Sequence, residues 1–117
     1  MTATPRPQPQ AWAVLEQALL QRRSVSACYH GHQRLLFPHA LGWHHGRAMV
    51  LAYQGDGTTS QGSLAPDPRQ RWRSMFIDEV HEAVTTDQPW QTADNYSPAT
   101  TGISQLHLVV DRASQPK

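Results

Sequence analysis

Apolar positions in the first third of the chain repeat first with helical spacing and then with strand spacing. Trp12, Leu15 and Leu19 are three and four residues apart, which places them on one face of a helix. This spacing predicts an amphipathic helix over residues 11–23. From residue 24 the period changes to two, so residues 24–29 are predicted to form a half-buried strand.

Further apolar stretches predict the remaining strands. Residues 34–43 are apolar but contain Pro38, which cannot donate to a strand ladder and favours an edge or a bulge where the strand bends. Residues 48–53 form an apolar run of strand length that is too short for an independent helix. Alternation over residues 71–77 and 106–110 predicts two more strands.

Polar segments rich in proline and glycine divide the chain. Residues 54–70 contain three glycines and two prolines and are predicted to form a long exposed loop. Residues 1–10 contain three prolines and few apolar side chains, so they are predicted to be a disordered tail. We therefore expect a domain over residues 11–90 and a C-terminal extension over 91–117, which is loop-like until its single strand.

One helix followed by several short strands is typical of a mainly β fold. The 117 residues, 38% of them hydrophobic, provide enough material for one modest core. The element order predicts a small, strongly bent sheet or barrel of about five strands packed against the N-terminal helix.

Composition narrows the classes of partner and compartment. The formal net charge is only +1, so any contact with nucleic acid depends on a few local arginines. Cys28 is the only cysteine, which excludes an internal disulfide and suits a reducing compartment. No apolar run reaches the roughly 18 residues needed to cross a membrane, and the N-terminus lacks the apolar region of a signal peptide. We expect a cytoplasmic protein with no membrane partner.

Several short motifs follow one another in a characteristic order. Tyr29 ends the first predicted strand, Arg34-Leu-Leu-Phe-Pro38 follows it, and residues 73–80 read Arg-Ser-Met-Phe-Ile-Asp-Glu-Val. This order resembles the WYL domain, in which a strand ending in Tyr precedes Arg-x-Val-x-Pro, Gly-x-Trp-Tyr-Leu-x-Ala-Tyr and Arg-x-Phe-Arg-Leu-Asp-Arg-Ile segments. The resemblance extends over about residues 15–90 and implies a stand-alone, divergent member of that family.

The chain departs from this family pattern at two places. Residues 48–50 read Ala-Met-Val where the family has the Trp-Tyr-Leu that names it. Phe76 and Glu79 stand where the family usually has arginines, so of three basic positions only Arg73 remains. An anionic ligand would therefore lose two charge-assisted hydrogen bonds.

The resemblance also implies a function. WYL domains are similar to Sm-like or SH3-like barrels and usually serve as effector-sensing modules of bacterial transcription regulators. The resemblance therefore implies a non-enzymatic regulatory module that binds a nucleotide-like or other anionic ligand, or a single-stranded nucleic acid. It also implies a separate DNA-binding regulator as a partner. Arginine can pair bidentately with phosphate, and tyrosine and histidine can stack on a base. The implied ligand-binding residues are Tyr29, Arg34, His39, Tyr53, Arg71 and Arg73, and we expect the arginines to be exposed.

A protein–protein interaction or oligomerisation module without a small-molecule ligand is the alternative. In that case another chain, for example a second copy, pairs with the edge at Pro38, the 54–70 loop and the strand at 106–110. The arginines then only increase solubility. Whether Arg34 and Arg73 converge in space discriminates between the two hypotheses.

Metal binding and catalysis have weaker sequence support. Cys28, His30 and His32 would share one strand face, but Gly31 breaks that geometry and no fourth ligand has a recognisable spacing. No nucleophile elbow, phosphate loop or histidine–carboxylate metal motif is present in the sequence. We therefore predict no metal site, no cofactor and no enzymatic activity.

Overall fold

The computed structural model describes residues 10–59, 62–97 and 101–110 of the chain. In these ranges, one helix packs against antiparallel strands, which confirms the predicted mainly β fold with an N-terminal helix. No helix there is long and apolar enough to cross a membrane. The predicted tail lies, except for its last residue, outside the described residues. The elements are α1 (Ala11–Gln21), β1 (Ser24–Tyr29), β2 (His32–His44), β3 (Arg47–Thr59), β4 (Gly62–Ser63), β5 (Trp72–Phe76), β6 (Val80–Thr86) and β7 (Gln105–Val109).

Strands β2 and β3 form the centre of the sheet. One edge of β2 pairs with β3, and its other edge pairs with β1 in the first half of the strand and with β7 in the second. Strand β3 also pairs with β4 and β5, while β6 pairs with β1. Within the described ranges no ladder joins β5 to β6, so the sheet is open and is not closed into a barrel.

The two central strands bend where the sequence predicted a bend. The pairing of β2 with β3 shifts register between Pro38 and Ala40, and again between Leu35 and Leu36. Such bulges increase local twist and let one strand contribute to two parts of a curved sheet. The predicted irregularity at Pro38 is confirmed.

The prediction of an exposed loop over residues 54–70 is wrong in its first part. Strand β3 continues to Thr59, and β4 begins at Gly62. Gly57 lies inside β3 with φ +99°, and a Cβ there would lie 2.2 Å from the carbonyl oxygen of Gln33. This glycine therefore marks a close approach of two strands, and the loop predicted from the glycine content does not begin there.

The helix contributes its predicted face to the main core. Trp12, Leu15 and Leu19 are all buried, and the ring of Trp12 stacks on that of Trp43 with centroids 4.8 Å apart. The helix ends two residues before its predicted end because Arg22 adopts a left-handed conformation with φ 51°.

The segment after β6 is loop-like in backbone, as predicted, but it is packed into the protein. Tyr96 is 3% exposed, and its hydroxyl donates to the carbonyl of Val110 at 2.6 Å. Ala93 and Ile103 are also buried. The described part of the C-terminal extension therefore completes the core around β2.

Candidate functional site

An open cleft of about 460 Å³ lies where the end of β1 meets β4 and β5. This volume is in the range of sites that hold small organic ligands. Tyr29, Arg34 and Arg73, three of the six residues predicted to bind a ligand, are brought together here. The described residues that line the cleft are Tyr29, His30, Arg34, Thr59, Ser63, Ala65, Gln70 and Arg73.

Arg34 is the most buried of the described residues that line the cleft. It pairs with Ala27 of β1 and Gly57 of β3, and only 4% of its surface is exposed, so the expectation that it is exposed is wrong. Its guanidinium donates to the carbonyl of Tyr29 at 3.1 Å and to Oε1 of Gln54 at 3.3 Å. The buried Nε has no hydrogen-bond partner among the described residues, which leaves one donor unsatisfied.

Arg73 reaches the cleft from β5. This strand places Arg73 on the same face as the buried Met75. Its guanidinium donates to the carbonyls of Gln70 and Trp72 at 3.1 and 2.9 Å. Both acceptors are neutral, so these bonds orient the side chain without cancelling its charge.

The two arginines have no negative partner in the described parts of the chain. The ion pairs formed there involve other cations, and none of the described cleft-lining residues is a carboxylate. Burial lowers the pKa of Arg34, and the positive charge of Arg73 lowers it further. Burial also lowers the pKa of Arg73. A guanidinium remains charged in proteins, so the cleft concentrates positive charge.

Tyr29 and His30 form an aromatic wall of the cleft. Their rings stack with centroids 4.0 Å apart, and the guanidinium carbon of Arg34 lies 5.2 Å from the centroid of the Tyr29 ring. The Tyr29 hydroxyl accepts from the backbone N–H of Phe76 at 3.3 Å, which leaves its own proton available for a ligand. Burial raises the pKa of Tyr29, so this hydroxyl is protonated at neutral pH and can donate.

Arg71 supports the cleft and does not line it. Its Nε donates to the carbonyl of Ala65 at 2.8 Å, and Ala65 is part of the cleft wall. The backbone carbonyl of Arg71 also accepts from the N–H of Gln54 at 2.9 Å. Arg71 therefore fixes the chain between β4 and β5 in place.

His39 and Tyr53 do not line this cleft. His39 is fully buried, and its ring lies 4.7 Å from that of Trp72. Its Nδ1 lies 2.6 Å from the carbonyl of Phe37, to which it can only donate. In the neutral ring Nε2 is then an acceptor, and it accepts from the Thr92 hydroxyl at 2.9 Å. Burial lowers the pKa of His39 to about 4. Tyr53 packs beside Phe37 and Trp72.

Five of the described cleft residues were not predicted as ligand contacts from the sequence. Four of them, Thr59, Ser63, Ala65 and Gln70, lie in the segment predicted to be an exposed loop. The fifth, His30, was weighed only as a metal ligand. The signal that could have found two of them is the presence of the hydroxyl residues Thr59 and Ser63 in one short glycine-containing segment, since such residues commonly contact phosphate oxygens.

The potential metal ligands do not converge. His30 contacts Oε1 of Glu79 at 2.5 Å, and His32 contacts the hydroxyl of Thr58 at 3.0 Å. In residues 10–59, 62–97 and 101–110, no group of three or more His, Cys, Asp or Glu side chains could hold a metal ion.

Comparison of the chain with protein-family models, with curated proteins and with solved structures finds no match. The geometry and charge of the cleft are therefore the basis for inferring a function.

Proposed function

We propose that this protein is a non-enzymatic ligand-sensing module that binds a nucleotide-like or other anionic ligand in the cleft. The observation that carries this proposal is the convergence of Arg34 and Arg73 without a carboxylate partner in the described residues. Two guanidinium groups that approach one cleft repel each other, and an anion between them relieves that repulsion. Their planar donors also match the oxygens of a phosphate.

We further propose that the chain is a divergent relative of WYL domains with a Sm-like or SH3-like sheet. The order of Tyr29, Arg34 and Pro38 in the sequence, the bend of β2 and the meeting of Arg34 with Arg73 support this relationship. In this proposal the module acts in the bacterial cytoplasm and passes the presence of its ligand to a separate DNA-binding regulator.

The substitution Arg73→Gln is expected to remove most of the stabilisation by the ligand. A ligand at about 100 times its Kd stabilises the folded state by about 2.7 kcal/mol, which raises the unfolding midpoint of a domain of this size by about 10 °C. The measurement is thermal unfolding with mono-, di- and cyclic nucleotides and with short single-stranded DNA and RNA. The wild type should show the full rise, and Arg73→Gln should show only a small part of it.

Arg23→Gln is the matched control because it also removes one positive charge. Arg23 pairs with Asp87 and precedes β1, whereas Tyr29 lies at the other end of that strand. The control should keep the full shift. An equal loss in both variants would mean nonspecific attraction, and a wild type that responds to no member of the panel would overturn the proposal.

A second candidate function is the interaction module, which is favoured by β7. In the described residues, β7 pairs only with β2, so its other edge has no strand partner in that part of the chain. Leu106 and Val109 on this strand are 47% and 37% exposed. A free strand edge with exposed apolar side chains can pair with a second chain.

In this second candidate, Val109→Lys should convert a dimer into a monomer because a buried lysine at the new interface is unfavourable. The measurement is sedimentation equilibrium. Leu20→Lys is the matched control, since Leu20 is an exposed leucine on α1 and lies outside the β7 edge. A monomeric wild type, or dissociation by both variants, would contradict this function.

A further inference from the structure

The charge of the cleft specifies the class of anion. Building on the ligand-sensing function, we propose that the ligand carries a phosphomonoester dianion, as a nucleoside monophosphate does, and that buried Gln54 positions Arg34 to bind it. The cleft is larger than a phosphate group requires, which leaves space for the organic part of such a ligand.

The cleft has an excess of two formal positive charges, one on Arg34 and one on Arg73. His30 also lines the cleft, but it contacts the carboxylate of Glu79. Glu79 in turn is paired with Arg47 at 2.9 Å. A phosphomonoester carries a charge of about −1.5 to −2 at neutral pH, so it balances both arginines. A phosphodiester carries one charge and leaves one arginine unbalanced, in a partly desolvated site where that imbalance costs more than in water.

Gln54 has only one orientation that satisfies its neighbours. It is fully buried in β3, and its Nε2 donates to the carbonyls of Asp56 and Thr58, both at 3.1 Å. Carbonyl oxygens can only accept, so the amide nitrogen must face them and Oε1 must face Arg34. The curved end of β3 thus fixes the atom that holds the guanidinium.

A neutral acceptor at this position keeps the charge of Arg34 available. The Gln54 amide and the Tyr29 carbonyl each hold one nitrogen of the guanidinium, so the side chain is ordered before a ligand arrives, and ordering costs less on binding. A glutamate there would form an ion pair with Arg34 and would lose the donors to the two β3 carbonyls. Gln54 is therefore a positioning residue, which acts on the ligand through Arg34.

Further donors are placed for the remaining phosphate oxygens. The hydroxyl of Tyr29 has its proton available, and the exposed Ser63 contributes a second hydroxyl to the cleft wall. A phosphate dianion has three strong acceptor oxygens, which two arginines and two hydroxyls can satisfy together. The donor set is thus suited to a terminal phosphate.

The first experiment is calorimetric titration of the full chain, near neutral pH, with AMP, 3′,5′-cyclic AMP and adenosine. These probes share a base and differ in phosphate charge. We expect AMP to bind about tenfold more tightly than cyclic AMP, which corresponds to about 1.4 kcal/mol, and adenosine not to bind. If cyclic AMP binds as tightly as AMP or more tightly, the dianion inference is overturned and the sensing function is left standing. Binding of no anion at all would overturn both.

The ratio of AMP affinity to cyclic AMP affinity tests the role of Gln54. Gln54→Glu neutralises Arg34, so the ratio should fall from about ten to about one. A general loosening of the site would lower the affinity for both ligands equally and leave the ratio unchanged. If this variant does not fold, Arg73→Gln should cause the same collapse, because it also removes one positive charge, whereas Arg23→Gln should keep the ratio. A ratio unchanged in every folded cleft variant would overturn the proposal.

Discussion

Gly42→Ala is expected to lower the free energy of unfolding by about 3 kcal/mol and to detach β7 from β2. A Cβ at this position would lie 2.1 Å from the carbonyl oxygen of Gln105 and 2.7 Å from Cγ2 of Ile103. The closer of these atoms belongs to the backbone, which cannot move away by a change of rotamer. Urea unfolding measures the loss, and hydrogen exchange should show reduced protection of the β7 amides.

The double variant Gly42→Ala with Ile103→Ala separates the two contacts. Truncating Ile103 removes only the more distant clash, so it should restore little of the stability. Ile103→Ala alone gives the cost of the truncation itself. Full stability of Gly42→Ala, with β7 amides as protected as in the wild type, would show that β7 does not pair with β2 at this register.

Gly42 also illustrates which parts of the fold could be predicted from the sequence. Helix α1 and strands β1 and β7 were predicted because their periodicities are local properties of the chain. The partner of β7 could not be found that way, since Gly42 and Gln105 are brought together only by folding. The same limit applies to Gly57, where close strand approach is a tertiary property that resembles a loop signal in sequence.

The candidate site was predictable to a similar degree. Motif order singled out Arg34 and Arg73, and the structure brings these two together with Tyr29. The lack of a carboxylate among the described residues of the cleft was not predictable, because it depends on where folding places each acidic side chain. The contribution of Gln54 was equally hidden, since its importance comes from two carbonyls that the bend of β3 turns toward it.

The location of His39 shows why a polar residue on a predicted strand does not by itself indicate a ligand-binding site. The rings around it come from Trp72, Trp90 and Tyr96, which are distant from it in sequence. With both ring nitrogens hydrogen bonded and no exposed surface, His39 has the environment of a neutral core histidine. His39 does not line the cleft, but its burial has a consequence for stability.

Acidification should destabilise the protein through His39. Burial is the main cause that lowers its pKa from 6.5 to about 4 in the folded state, so between these values the unfolded chain binds a proton that the folded chain does not. The contribution of His39 to the free energy of unfolding is therefore fully present above about pH 6.5, and it is lost progressively as the pH falls toward 4. The total loss is about 3 kcal/mol.

Urea unfolding at a series of pH values from about 7 to about 4 measures this loss. His39→Gln removes the titrating group, so its stability, although lower at neutral pH, should fall less steeply with acid than that of the wild type. His45→Gln replaces an exposed histidine in the turn between β2 and β3 and should keep the wild-type slope. If His39→Gln is as acid-sensitive as the wild type, the destabilisation arises from other groups, because a residue that no longer titrates cannot contribute to a pH-dependent free energy.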